Sequence, residues 1–504
     1  MSGILLKVKL WGREVGRLQW IDYRKVACFS FNPDYLKDGW NLAPLTASVE
    51  GEKALYPLFG MKSAPDTRIF QGLPPFLADS LPDAWGNELF DKWAAENHLS
   101  ASDKTPVDKL AFIGRRGMGA LEFEPAFDFA NELETIALQS LCTLAEKIFN
   151  DRNNAIITAE ETLTLKSLVT VGTSAGGRQA KAIVAIAPDG TIKSGQVAGL
   201  ERYKYCILKF GNAFRQTAEL EKTYHDMAVS AGIDMMPSSL ICVEGIQHFL
   251  TERFDRPNGE KLHTQTLAAM SPDAQSYEDL FLVCRRIGIS EKEQTELFRR
   301  LAFNVLSNNT DDHVKNFSFM MNTKGEWHIT PAYDLTFVFA ADGVNPEKHH
   351  CLSVGGKTNN IAISDLMAFA KNNGVKRPES IINKVAQAVS SFRTMAIENG
   401  VSTFWVNCIE EHLSGLVPQP FNSTMLGWKA ADLASVIKGR NVCHVHFEMS
   451  PSGNIHLCAT IDGKEQKYVF NQQRAEFQKI LSKGFNTMPD EAKLEYVESF
   501  LLKE

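Results

Sequence analysis

The chain opens on short alternating runs. "ILLKVKLWG", "REVGRLQW" and "VACFSF" (residues 4–31) place apolar side chains at every second position, which predicts three strands, with Gly12 in the first turn. The pattern changes at "LADSLPDAWGNELFDKWAAENH" (77–98), where helical spacing takes over, and a second helical run over 106–114 ends at Gly114. From 162 the alternation returns in "TLTLKSLVTV", "KAIVAIA" and "KYCILKF". A helix, "TAELEKTYHDMAVSAG", follows and stops at Gly232; "SSLICVEG" and "QHFLTERF" read as two more strands. From about 276 to 307 the chain is mainly helical, with Leu297, Leu301 and Val305 on one face, and further helices run from 363 to about 415. "LVPQPFNST" (416–424) reads as a linker, and the last 80 residues as helix, hairpin strands and helix.

These patterns predict an α+β chain: an N-terminal α+β subdomain (1–140), a strand-rich lobe (141–250), a helical lobe (251–415) and an appended C-terminal α+β module (425–504). A length of 504 residues agrees with several subdomains. The net charge of −7 argues against nucleic-acid binding by the whole surface. Nine cysteines are scattered without a CxxC pair and read as reduced thiols; with no leader-like N-terminus and no apolar run of roughly 18–20 residues, a cytoplasmic protein off the membrane is expected.

The candidate chemistry lies in the two lobes. "VGTSAGG" (171–177) stands between two expected strands, where glycines let backbone N–H groups approach a phosphate. It is a near miss to a P-loop, with Arg178 and Gln179 in place of Lys-Ser/Thr and a strand in place of the helix. A glycine loop over phosphates between two strands fits a kinase, and a kinase needs further parts in order. Lys209 ends an apolar strand and suits the nucleotide lysine; Glu221 on the next helix suits its orienting carboxylate, with Glu219 as competitor. Thr251 to Phe254 fall where a hinge strand would read adenine. In "NNTDDHVKNFSF" (308–319), Asp311 suits the catalytic base and Asn316, five residues on, a metal ligand; Asp334 in "TPAYDLTF" suits the second ligand. Asp and Asn are hard oxygen donors suited to Mg²⁺. Asp312 is expected to point elsewhere and to tolerate change.

"GGRQAK" (176–181), "ERFDR" (252–256), "TDDHVKNFSF" (310–319) and "TPAYDLTF" (330–337) resemble the HipA family of bacterial serine/threonine protein kinases, and "LADSLPDAWGNELFDKW" and "LAFIGRRGMGALEF" resemble its N-terminal region. The resemblance covers about residues 4 to 415. It implies a bilobal protein-kinase-like fold, ATP and Mg²⁺ as cofactors, and a toxin that phosphorylates an aminoacyl-tRNA synthetase. It implies a helix-turn-helix antitoxin as partner, with DNA reached only through it. Carried over, Lys209 is the nucleotide lysine, Glu252 and Phe254 are hinge contacts, Asp311 is the base, and Asn316 and Asp334 are metal ligands. Ser174, Gly176, Gly177, Gln179 and Lys181 form the glycine-loop motif, His313 joins the nucleotide contacts, and Ser174 matches the family's autophosphorylated serine. The loop departs from the family pattern by an extra Arg178 ahead of Gln179.

Two other readings use the same parts: a small-molecule or lipid kinase, and an inert nucleotide-binding corepressor. In the C-terminal module, His444, His446 and, across the hairpin, Cys458 are spaced for a metal, although two histidines and a thiol on a half-buried strand face explain the same pattern.

Overall fold

The computed structural model describes residues 4–62, 69–97, 99, 104–127, 138–150, 179–195, 202–340 and 345–416, and in the C-terminal part the strands 442–449, 455–461, 464–470 and 501–503. The chain separates into two units, Met1–Leu416 and Val417–Glu504.

In the first unit, β1 (Leu5–Leu10), β2 (Arg13–Ile21), β3 (Val26–Phe31), β4 (Leu58–Phe59) and β5 (Leu121–Glu124) form an antiparallel sheet in the order β4-β3-β2-β1-β5. Leu6, Val8 and Leu10 are buried, so the opening alternation is the inward face of this sheet. Trp11 and Gly12 close the first hairpin with φ of 47° and 79°, the paired positive values of a two-residue hairpin turn. The stretch with helical spacing after residue 77 divides. A short helix, Pro75–Ala78, ends before Pro82, and Asp83 caps a new helix, Ala84–Glu96, by accepting from Gly86 N at 2.6 Å. A third helix, Pro106–Ile113, has a Thr105–Asp108 capping box and stops at Gly114 with φ 57°.

The second sheet contains β6 (Lys181–Ile186), β7 (Ile192–Ser194), β8 (Lys204–Lys209), β9 (Ser238–Val243) and β10 (Ile246–Glu252), in the order β7-β6-β8-β10-β9. Its register sets two faces. Lys181 pairs with Lys209 and Lys209 with Phe249, while Ala182 pairs with Leu208 and Val184 with Cys206. Ala182, Val184, Cys206 and Leu208 belong to the same buried core as the first sheet. The other face carries Lys209, Ile207, Phe249 and Thr251 toward a cleft. Helix Thr217–Ala231 follows β8 and ends at Gly232, φ 83°.

Below the cleft, β11 (His263–Thr266), β12 (Ser318–Met321) and β13 (Trp327–Ile329) form a small sheet. The helices Tyr277–Arg286 and Glu291–Leu306, each opened by a Ser–acid capping box, carry the lower lobe with those between Ile363 and Leu416. Leu297 and Leu301 are buried on one helix face, with Val305 beside them. No helix among the described residues is long and apolar enough to cross a membrane.

The N-terminal sheet is joined to the rest of the unit by buried polar contacts. Asp255 accepts from Arg253 Nε at 2.9 Å and Nη2 at 2.8 Å, from Arg256 Nη1 at 2.6 Å, and from Gly119 N at 2.7 Å. Arg256 also donates to the Gly117 carbonyl at 2.8 Å. A carboxylate stripped of water is stable here because two guanidinium groups and an amide replace the water.

In the second unit, β14 (Val442–Met449), β15 (Ile455–Ile461) and β16 (Lys464–Phe470) make the expected meander. At the chain end, β17 (Leu501–Lys503) pairs with β16 and covers its open edge, and the helix expected before it lies outside the described residues. In the backbone register His446 pairs with Cys458, and the register shifts between Cys443 and His446. Among the described residues no three His, Cys, Asp or Glu are grouped to hold a metal. The expected strand at 162–171 and the linker at 417–424 lie outside the described residues.

Asp255→Ala is expected to lower the unfolding free energy by about 3–5 kcal/mol, because it leaves two buried guanidinium groups without their acceptor. Burial pushes the Asp255 carboxyl up, but Arg253 and Arg256 outweigh it and hold the group well below its ordinary value of 3.8. Its contribution is therefore complete above that value and is lost as the pH falls below it. Urea denaturation at neutral pH and at about pH 3 checks both statements.

Candidate active site

The cleft centres on one ammonium. Lys209 Nζ, at the end of β8, is bound by Glu221 Oε1 from the helix Thr217–Ala231 and by Asp334 Oδ1 from the loop after β13. The Lys209 and Glu221 side chains are buried, and Asp334 is 26% exposed. Glu219, the alternative partner, is buried elsewhere; burial raises its carboxyl and Gln216 is its side-chain neighbour. Burial disfavours the Lys209 charge, yet the two carboxylates outweigh it and hold the ammonium above its ordinary value. Burial also pushes Asp334 up, and Lys209 and Lys181 outweigh that, so Asp334 lies below the usual carboxylate value. Glu221 goes the other way: burial and the second carboxylate exceed the pull of the shared lysine. Asp334 has φ 54°, a left-handed backbone that Asp tolerates better than most residues and that recurs at functional sites.

The acidic loop is fixed from within by Asp312. Its carboxylate accepts from Tyr277 Oη at 2.7 Å and from Cys351 N at 2.7 Å, and meets His350 Nδ1 at 2.8 Å. Asn304 Nδ2 donates to the same Tyr277 hydroxyl at 3.0 Å, and Asn309 Nδ2 to Asn304 Oδ1 at 2.9 Å. Asp312 does point away from the cleft, but it is a buried anchor and not a tolerant bystander. With residue 312 turned inward, Asp311 is turned out: its side chain is 57% exposed, and its Oδ1 lies 4.0 Å from His313 Nε2. Asn316 Nδ2 donates to the Asp311 carbonyl at 2.7 Å, which leaves Asn316 Oδ1 as an acceptor. His313, Asn316 and Asp334 line the cleft together.

Ile207, Thr251, Met235, Met236 and Phe254 give the cleft an apolar end suited to a planar base, in a cavity of about 190 Å³. Glu252 N donates to the Pro237 carbonyl at 3.0 Å and Arg253 N to the Tyr205 carbonyl at 2.8 Å, so the strand end is held on both sides. The Glu252 carboxylate pairs with Lys204 at 2.8 Å. Phe254 stacks on Tyr333, with centroids 5.8 Å apart.

One wall comes from the N-terminal region: Asp79, Ser80, Leu81, Asp83, Met118 and Leu121 line the cleft. Asp79 accepts from Thr266 N at 2.6 Å and Thr266 Oγ1 at 2.7 Å. Lys181, directly across from Lys209, is 2% exposed and pairs with Asp83 Oδ2 at 3.2 Å. Gln179 Nε2 donates to the Phe210 carbonyl at 3.1 Å. Ser174, Gly176 and Gly177 lie outside the described residues. Spacing along the chain did not point to the wall, to Asp312 as anchor, or to Tyr333, whose hydroxyl donates to the Lys315 carbonyl at 2.8 Å. The stretch "LPDAWG" (81–86) was the available signal for the wall, because an acid next to a helix start is already a polar group with a task.

The chain matches the sequence model of the HipA N-terminal domain over residues 6–124 and that of the HipA-like C-terminal domain over 173–392. A Sinorhizobium fredii protein named "Putative kinase Y4mE" is 25% identical over 204 residues, 35% of this chain and 47% of that protein, so the chain spans about half the length of this relative. Among solved structures, the chain is similar to HipA of Shewanella oneidensis MR-1, determined with HipB and operator DNA. The likeness covers 82% of this chain and 96% of that one, with a TM-score of 0.56 and 17% identity, and shows a shared bilobal kinase-type α+β fold. Two models of one family, matched in order over about two thirds of the sequence and joined by that fold, establish that the chain belongs to the HipA family.

Proposed function

We propose that this chain is an ATP- and Mg²⁺-dependent serine/threonine protein kinase that acts as the toxin of a toxin–antitoxin pair. The observation that carries the reading is the Lys209 ammonium between Glu221 and Asp334, at the polar end of a cleft whose other end suits a base. Glu221 would keep the lysine aimed at the α- and β-phosphates. Asn316 and Asp334 would hold Mg²⁺, since both line the cleft and offer hard oxygen donors. When bound, the ion neutralises phosphate charge. The backbone of Glu252 and Phe254 would meet the adenine.

In the transfer step Asp311 takes the proton of the substrate hydroxyl. That oxygen bonds to the terminal phosphorus as the bond to the bridging oxygen breaks, and ADP leaves. The exposure of Asp311 suits a substrate that approaches from outside, as a protein would. Family membership supports an aminoacyl-tRNA synthetase as that protein, such as glutamate- or tryptophan-tRNA ligase, in the cytoplasm. It also supports a helix-turn-helix antitoxin as partner, in line with the HipB and operator DNA present with the Shewanella protein, so that DNA is met only through the antitoxin. Ser174, the family's autophosphorylation site, would turn the enzyme off by placing negative charge where phosphates bind.

Asp311→Asn keeps the shape of the side chain and removes the proton acceptor. It is expected to bind Mg·ATP within a few fold of wild type and to lose about 10²–10⁴-fold in transfer, roughly 3–5 kcal/mol of transition-state stabilisation. Incubation with γ-labelled ATP and a lysate, with phosphoproteomics after brief expression, reads the loss; label confined to lipids or metabolites would contradict a protein substrate. Asp312→Asn should act differently. It puts an amide donor among three groups that donate to the carboxylate, so the expected outcome is a lower thermal midpoint together with reduced transfer. A variant with wild-type stability would contradict the anchoring role.

A further inference from the structure

On the kinase reading, Glu221 can aim Lys209 only while the helix Thr217–Ala231 stays against the sheet. The start of that helix is held by a segment from the far end of the same unit. Gln216, the residue before the helix, uses both ends of its side-chain amide there: Nε2 donates to the Gly400 carbonyl at 3.0 Å, and Oε1 accepts from Ser402 N at 2.7 Å. These groups lie 184 and 186 residues away along the chain. Trp405 Nε1, on the helix Thr403–Leu416, donates to the Phe214 carbonyl at 2.9 Å. Further along the Glu221 helix, Asn399 Nδ2 donates to Asp226 Oδ2 at 3.0 Å.

Gln216 adopts φ 50° and ψ 44°, a left-handed backbone that a residue with a side chain takes up at a cost, and its side chain gives the helix no cap bond. The amide is turned instead toward residues 400 and 402. Asn212 closes the turn behind it: its Oδ1 accepts from Arg215 N at 2.8 Å and its carbonyl from Gln216 N at 2.7 Å. A displacement at 400–405 is therefore passed to the helix start. Trp405 also meets Phe339, with centroids 5.0 Å apart, and Phe339 packs on Phe337 at 4.8 Å. Phe337 and Phe339 follow Asp334 by three and five residues. One indole thus touches the chain that leads into the Glu221 helix and the chain that leaves Asp334, the two carboxylates that share Lys209.

We propose that Gln216 and Trp405 are positioning residues, and that the segment Asn399–Trp405 is a clasp that sets where Glu221 and Asp334 meet Lys209. The proposal rests on the kinase reading of Lys209. Neither Gln216 nor Trp405 is among the residues that line the cleft, so both act through the helix and the loop they hold. With the clasp open, the helix start can move out and take Glu221 with it. The cleft then still admits nucleotide, but a smaller fraction of chains has the lysine aimed at the phosphates. The loss falls on transfer and not on binding.

The test is a double-substitution cycle on the full chain, read as label passed from γ-labelled ATP to protein in a cell lysate over a range of ATP concentrations. Gln216→Leu removes both amide bonds at similar size. The expected result is a fall of about tenfold in kcat, the worth of one or two hydrogen bonds, with KM for ATP held within about twofold. Trp405→Phe keeps a ring against Phe339, removes the donor to Phe214, and should fall less. In a Glu221→Gln background, Gln216→Leu should cost nothing further, because the group it acts through is gone; a purely structural role would lower both rates by the same factor. An unchanged kcat in Gln216→Leu, or an equal loss in the two backgrounds, would overturn the clasp while the kinase reading stands. A wild-type chain that transfers no label would overturn both.

Discussion

A buried ammonium between two carboxylates governs the arrangement of this molecule. Lys209 could not be charged at the end of a buried strand without Glu221 and Asp334, and two carboxylates could not share so small a space without the cation. The three groups come from three elements: a strand, the helix after it, and a loop more than 100 residues on. Their mutual requirement fixes how the sheet, the helix and the lower lobe meet. It also fixes an unusual backbone, since Asp334 reaches the lysine from a left-handed conformation.

The same charge balance explains why the N-terminal sheet is part of the site. Register places Lys181 directly opposite Lys209, and like charges in that position repel. Asp83 relieves the repulsion by pairing with Lys181, and it does so from the cap of a helix whose start is already polar. Asp79 is held by Thr266 on the lower lobe, so the segment 79–83 connects both lobes along one wall of the cleft. The buried Arg253–Asp255–Arg256 group ties the strand end after β10 to the N-terminal loop at Gly117–Gly119.

Much of this could be read from residue order, and the reason is local. The strands β1–β3, β6 and β8 announce themselves by alternation, and the helix Thr217–Ala231 by its glycine stop. Lys209, Glu221, Asn316 and Asp334 stand out because each interrupts or follows an apolar element with a polar group that needs a partner. Spacing to Asn316 singles out Asp311 and leaves Asp312 to point elsewhere; what it cannot supply is the set of groups that anchors Asp312. Asp311 and Asp312 are distinguished by Tyr277, His350 and Cys351, which arrive from other parts of the chain. The pairing of Lys181 with Asp83 spans 98 residues and had no local trace. At the end of the C-terminal unit, Leu501–Lys503 is a strand because β16 offers it an edge, which local propensity does not record.

The proposal that most needs testing is that Asp334, with Asn316, would hold Mg²⁺ against the phosphates of bound ATP. Titration of ATP into the full chain, with and without Mg²⁺, tests it most directly when wild type is set beside Asp334→Asn. The account predicts that Mg²⁺ strengthens ATP binding in wild type by about tenfold or more and that the variant loses this dependence. Equal magnesium dependence in the two proteins, or ATP binding that ignores the ion in both, would contradict it.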